Sequence, residues 1–70
     1  MVISVWVEKA GAEWFGVAHH GGRLVATASG GNRKAAAAAV RACLPRGCGH
    51  QMVREGSEYA RSVVRLLARL

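Results

Sequence analysis

The chain contains no aspartate, and its only carboxylate side chains are Glu8, Glu13, Glu55 and Glu58. That scarcity argues against two-metal hydrolysis, which needs clustered carboxylates to hold its ions. Glu8 and Glu13, on either side of one turn, are a thin pair. Aromatic residues are few (two Trp, one Phe, one Tyr), and Pro45 is the single proline. No apolar run approaches the ~18–20 residues a transmembrane helix requires. The opening residues alternate like a strand and lack a basic segment before a long apolar stretch, so no secretory leader is expected. With no export signal, Cys43 and Cys48 read as reduced thiols, and a cytoplasmic protein is the working expectation.

What is present fits one small domain spanning residues 1–70. A chain this short buries only about 60% of its unfolded surface. Much of its 51% hydrophobic content is alanine, which adds little burial per residue. A neighbouring domain or a second copy is therefore expected to cover part of it. Ten Lys and Arg, eight of them Arg, give a formal charge of +6. That balance favours anionic partners such as nucleic acid, although an Arg-rich composition alone also produces it.

Glu13–His20 and Arg23–Ser29 have strand-like composition and flank Gly21-Gly22, the loop of a tight hairpin. Alternation puts Glu13, Phe15, Val17 and His19 on one face of the first strand and Trp14, Gly16 and Ala18 on the other. In the second strand it sets Leu24, Ala26 and Ala28 against Arg23, Val25, Thr27 and Ser29. Val2–Lys9 is a further strand, with Ile3, Val5 and Val7 opposing Val2, Ser4, Trp6 and Glu8, and Ala10-Gly11 turns it into the hairpin. One side of this meander is expected to meet the helices and the other to be partly covered. Trp6 and Trp14 lie on neighbouring strands, so at least one indole should be buried.

Asn32 is a good N-cap for a helix over Arg33–Leu44, built on five consecutive alanines and stopped by Pro45. His50–Arg54 is compatible with a short fourth strand. Ser57 caps a last helix, Glu58–Leu70, with Ala60, Val63, Val64, Leu67 and Leu70 on its apolar side. The order is β-β-β-α-β-α, an α+β domain.

Arg61, Arg65 and Arg69 recur every four residues on the opposite side of that helix. They suit a nucleic-acid backbone or a solvated face, and the clean apolar side favours the second. Ser29-Gly30-Gly31-Asn32-Arg33-Lys34 is a glycine-rich loop with two cations in the first helical turn. It offers an anion seat, but its spacing is neither a Walker A motif nor a dinucleotide fingerprint, and a turn with an N-cap explains it. Arg33, Lys34, Arg61, Arg65 and Arg69 are thus the candidate nucleic-acid contacts. Cys43, Cys48, His50, His19 and His20 offer soft ligands without the second cysteine pair of a structural zinc site. A small disulfide loop between the cysteines is the other possibility. Cys48-Gly49-His50 places a thiol near an imidazole, but no hydrolase or transferase signature surrounds it.

Glu13-Trp14-Phe15-Gly16-Val17 followed by Gly22-Arg23-Leu24-Val25 resembles the N-terminal domain of archaeal alkylguanine-DNA alkyltransferases, the methylated-DNA–protein-cysteine methyltransferases. Ser57, Tyr59, Val63, Leu66 and Leu70 are similar to that domain's Ser-x-Tyr helix. The resemblance implies a ribonuclease-H-like α+β fold and a structural role, buttressing a catalytic domain in DNA repair. The family's Pro-Cys-His-Arg active site and helix-turn-helix are absent from this chain. No alkyl-acceptor role passes to Cys43 or Cys48, and neither catalytic residues, cofactor nor metal is expected. The implied partner is a catalytic alkyltransferase domain or a second copy. A stand-alone basic nucleic-acid-binding module is the alternative, and no membrane association is expected.

Overall fold

The computed structural model describes residues 2–46, 49–52 (His50 by its backbone) and 58–69. Ser57 as a cap, the Cys48 thiol, the His50 imidazole, Leu70 and the expected strand end at Arg54 lie outside the described residues. Six elements follow in order: β1 (Val2–Ala10), β2 (Glu13–His20), β3 (Arg23–Gly30), α1 (Arg33–Ala42), β4 (Gly49–Met52) and α2 (Glu58–Ala68). The class is α+β, with a mixed four-stranded sheet in the order β3-β2-β1-β4. β1, β2 and β3 form the antiparallel meander, and β4 returns alongside β1 in parallel, Val2 opposite Gly49 and Val5 opposite Met52.

Glycine sets both hairpin turns. Gly21 and Gly22 have φ of +55° and +77°, the paired positive values a primed two-residue turn requires. The first turn falls at Gly11-Ala12, one residue later than expected, because β1 runs on through Ala10. Gly11 supplies a positive φ of +65° at its first position, as in a II′ turn. His20 ties the hairpin tip to the start of β1, its Nδ1 donating to the Val2 carbonyl oxygen at 3.0 Å.

Asn32 caps α1 as expected: its backbone is extended, and its Oδ1 accepts the Ala35 N–H at 2.7 Å. The helix stops at Ala42 rather than Leu44. The residue before a proline is disfavoured in α conformation, and the chain tightens before Pro45. Cys43 N–H donates to the Val40 carbonyl and Leu44 N–H to that of Arg41, each at 3.1 Å, three residues back instead of four.

The helices do not share a face. α1 covers Ile3, Val5 and Ala18, with Val40 at the contact and Val7, Val25, Ala26, Ala28 and Leu44 around it. α2 covers Trp6 and Val17 from the other side, through Ala60 and Val64, with Phe15 and Val63 beside them. The expectation of one helix-covered side fails because both faces of β1 and β2 are apolar and each needs cover. Strict alternation also fails in β3. A bulge shifts the register between Ala18 and His19, so Ala18 opposes Ala26 while His19 opposes Leu24. The extra residue, Val25, joins the α1 side, and Leu24 turns to the α2 side with Thr27. Trp6 is the buried indole, 6% exposed, and Trp14 is half-buried.

Small residues bring α1 down onto the sheet. A Cβ placed on Gly16 would stand 2.8 Å from Val40 Cγ1 and 3.0 Å from the Ala36 carbonyl oxygen. Gly16→Ala is therefore expected to lower stability by about 1–3 kcal/mol through overpacking, read from urea unfolding. Gly31→Ala, where an added methyl meets nothing within 4 Å, should change it by less than about 0.5 kcal/mol.

Candidate functional site

β1 outruns its parallel neighbour. β4 pairs with Val2 through Val5 only, and among the described residues no strand lies against Trp6–Ala10 on that side. An open cleft of about 580 Å³ occupies this edge, lined by Trp6, Val7, Glu8, Lys9, Trp14, Arg33 and Met52. Two elements bring its cations together. Lys9 stands opposite Trp14 in the β1/β2 register, and Arg33, the first residue of α1, lays its guanidinium over the Trp14 ring at 5.1 Å from the centroid.

That stack answers a local problem. α1 has no acid in its first turn, so Arg33 and Lys34 face the unfavourable end of the helix dipole. A guanidinium over an indole is worth about 0.5–2 kcal/mol depending on desolvation, enough to offset that cost at Arg33. Across the sheet the arrangement recurs with α2: Arg61 lies over the Trp6 ring at 5.4 Å and meets Glu8 at 3.9 Å. Both partners of this pair are partly exposed, so it contributes at most about 1 kcal/mol. The Trp6 Nε1–H is buried with no acceptor among the described residues, which costs about 1–3 kcal/mol.

The five expected nucleic-acid contacts divide into two groups. Arg33 and Lys34 stand at the start of α1, on one face of the sheet. Arg61 packs on the opposite face and Arg65 follows it one turn along α2, while Arg69 lies just past the helix, which ends at Ala68 rather than running on as expected; all three are exposed. One flat phosphate backbone does not reach all five from one side. Lys9, which was not among the five, joins Arg33 at the cleft. That partnership depends on where α1 crosses the sheet, and local spacing gave no signal of it.

Acid–base chemistry finds little to work with here. Glu8 is engaged by Arg61, and Glu13 stands one diagonal step away across the turn. Cys43 carries a free, exposed thiol at the other end of α1, with Sγ donating to the Ala39 carbonyl oxygen at 3.4 Å. Among the described residues no three His, Cys, Asp or Glu side chains converge, and no helix is long and apolar enough to cross a membrane. Comparison with protein-family models, curated proteins and solved structures gives no match to this chain.

A double-mutant cycle separates the two stacks. Arg33→Ala with Trp14→Leu should show coupling of about 0.5–1 kcal/mol, read by urea unfolding and largely unchanged by salt. The Arg61→Ala and Glu8→Gln cycle should show no more than about 1 kcal/mol at low salt and decline toward zero at about 1 M.

Proposed function

We propose that this chain is a non-catalytic interaction domain of the ribonuclease-H-like kind, related to the N-terminal domain of DNA alkyltransferases. It acts by contact with a separate catalytic domain in a DNA-repair setting. The observation that carries the reading is topological: an antiparallel meander, then a helix, then a strand parallel to the first. That order supports the fold the sequence resemblance implies. The Pro-Cys-His-Arg signature is missing from the sequence and there is no aspartate, which supports a role without bond-making chemistry.

A second reading, a stand-alone basic nucleic-acid module, draws on the charge of +6 and on Lys9 and Arg33 at one cleft. The division of the other cations between two faces favours the first. In the proposed role any contact with DNA is auxiliary, made by the Arg33 end beside a catalytic domain that does the reading.

The test mixes the chain with a separately expressed alkyltransferase catalytic domain carrying Pro-Cys-His-Arg and follows association by calorimetry. Labelled single-stranded and duplex oligonucleotides are titrated in parallel by anisotropy. A saturable complex with the catalytic domain is expected. Oligonucleotide binding by the chain alone should be no tighter than about 10⁻⁶ M at physiological salt and should weaken steeply as salt rises. Tight oligonucleotide binding without any catalytic-domain complex would end the interaction-domain reading.

A further inference from the structure

Charge is segregated across the sheet. Val5 and Val7 pack on the α1 side, and Lys9 follows them by alternation. Its register partner is Trp14, the ring that Arg33 covers. Lys34 and Arg41 add two exposed cations on α1 itself. Every carboxylate side chain among the described residues stands on the other side. Glu8 meets Arg61, Glu13 falls in line with Phe15 and Val17 under α2, and Glu58 opens α2. The start of α1 contributes the positive end of its dipole, capped by Asn32 and free of acids in its first turn.

The cleft at the β1 edge opens onto this cationic end. Its hydrogen-bonding side chains are donors, Arg33, Lys9 and the Trp6 indole, apart from Glu8, which enters from the α2 side where Arg61 meets it at 3.9 Å. Trp6 is 6% exposed, and its Nε1–H has no acceptor among the described residues. Buried donors are nearly always answered by an acceptor, and this unanswered one belongs to a residue of the cleft wall. The rest of the wall is flat or soft: the Trp14 indole and the half-open Met52 thioether. A volume of about 580 Å³ falls within the range of roughly 300–1,000 Å³ found for small-molecule sites.

We propose that this cleft binds one nucleotide unit, a phosphate ester carrying a flat heterocycle, taken up free or from a single strand of nucleic acid. The phosphate sits between Arg33 and Lys9, two cations brought together from α1 and β1. The base lies against the indole and thioether walls, which suit a planar π-system. An acceptor on its edge answers the Trp6 Nε1–H. A duplex does not fit, because its bases are stacked and paired. The site goes beyond the interaction-domain reading, which needs no ligand, and does not depend on it.

The probe is adenosine monophosphate, titrated into the intact chain and followed by NMR of backbone amides and the two indole N–H groups. Saturable binding is expected, with shifts centred on Lys9, Arg33 and the Trp6 and Trp14 indoles. Adenosine and inorganic phosphate, each offering half of the ligand, should bind at least about tenfold more weakly. Arg33→Gln, at an exposed position, should keep the circular dichroism of the fold and weaken binding at least about tenfold, and Lys9→Gln about threefold or more. Arg41→Gln removes an exposed cation at the far end of α1 and should change affinity by less than about twofold.

Failure to saturate by about 10 mM nucleotide, shifts that miss both indoles, adenosine binding as tightly as its phosphate, or equal weakening by Arg41→Gln would overturn the proposal. So would a duplex that moves the same residues at lower concentration than any single strand. A single-stranded oligodeoxyadenylate that engages these residues more tightly than the monophosphate assigns the site to nucleic acid, and the reverse order assigns it to the free nucleotide. The calorimetric assay with the catalytic domain stands apart. A catalytic-domain complex without nucleotide binding keeps the interaction-domain reading and removes the cleft, and nucleotide binding without that complex does the opposite.

Discussion

The close approach of α1 to the sheet is the constraint on which the rest of the molecule depends. Ala36, Ala37 and Val40 are the helix residues buried against the sheet, and Gly16, Ala18, Ala26 and Ala28 are the small positions beneath them. Gly16 lies against the Val40 side chain and the Ala36 carbonyl, and at Gly30 an added Cβ would fall 2.6 Å from the Ala36 nitrogen, so neither position has room for a methyl. Alanine buries little area per residue, so a helix of this composition gains stability from proximity and numerous short contacts. The same proximity fixes where α1 begins, and hence where Arg33 meets Trp14.

The opposite face is built on different terms. Trp6, Phe15, Val17, Val63 and Val64 fill the space beneath α2 with bulk, and among the described residues α2 packs on β1 and β2. A chain with four large aromatic side chains cannot furnish two broad cores. It spends its alanines on one face and most of its bulk on the centre of the other. On that side Leu24 of β3 remains 49% exposed. The two Arg–Trp stacks sit one on each face, at the end of the sheet where β4 gives out.

Where the determinants were local, the sequence carried them. Gly21-Gly22 encodes its hairpin in two residues, Asn32 encodes its cap in four, and the alternation of Ile3, Val5 and Val7 against Trp6 holds along β1. The bulge at Val25 was hidden, because Leu24 and Val25 are interchangeable apolar residues and only pairing with His19 decides which one turns over. The end of α1 was hidden by alanine propensity, which outweighed the restriction Pro45 places on Leu44. The placement of the helices on opposite faces was missed: alternation put apolar residues on both sides of the meander, but composition does not say that each side takes its own helix. The Arg33–Trp14 contact joins residues far apart in sequence and exists only once α1 is seated.

The parallel pairing of β1 with β4 has a consequence for the order of assembly. The meander needs only neighbouring segments, so its hairpins can close within microseconds. Val2 through Val5, in contrast, find their outer partner in Gly49–Met52, and that strand arrives only after α1 has crossed the sheet. Non-local pairings of this kind come late in folding. As the chain leaves the ribosome, the outer margin of β1 therefore stays open longest, and it is the place where a growing polypeptide is most apt to be met by a chaperone or a neighbouring nascent chain.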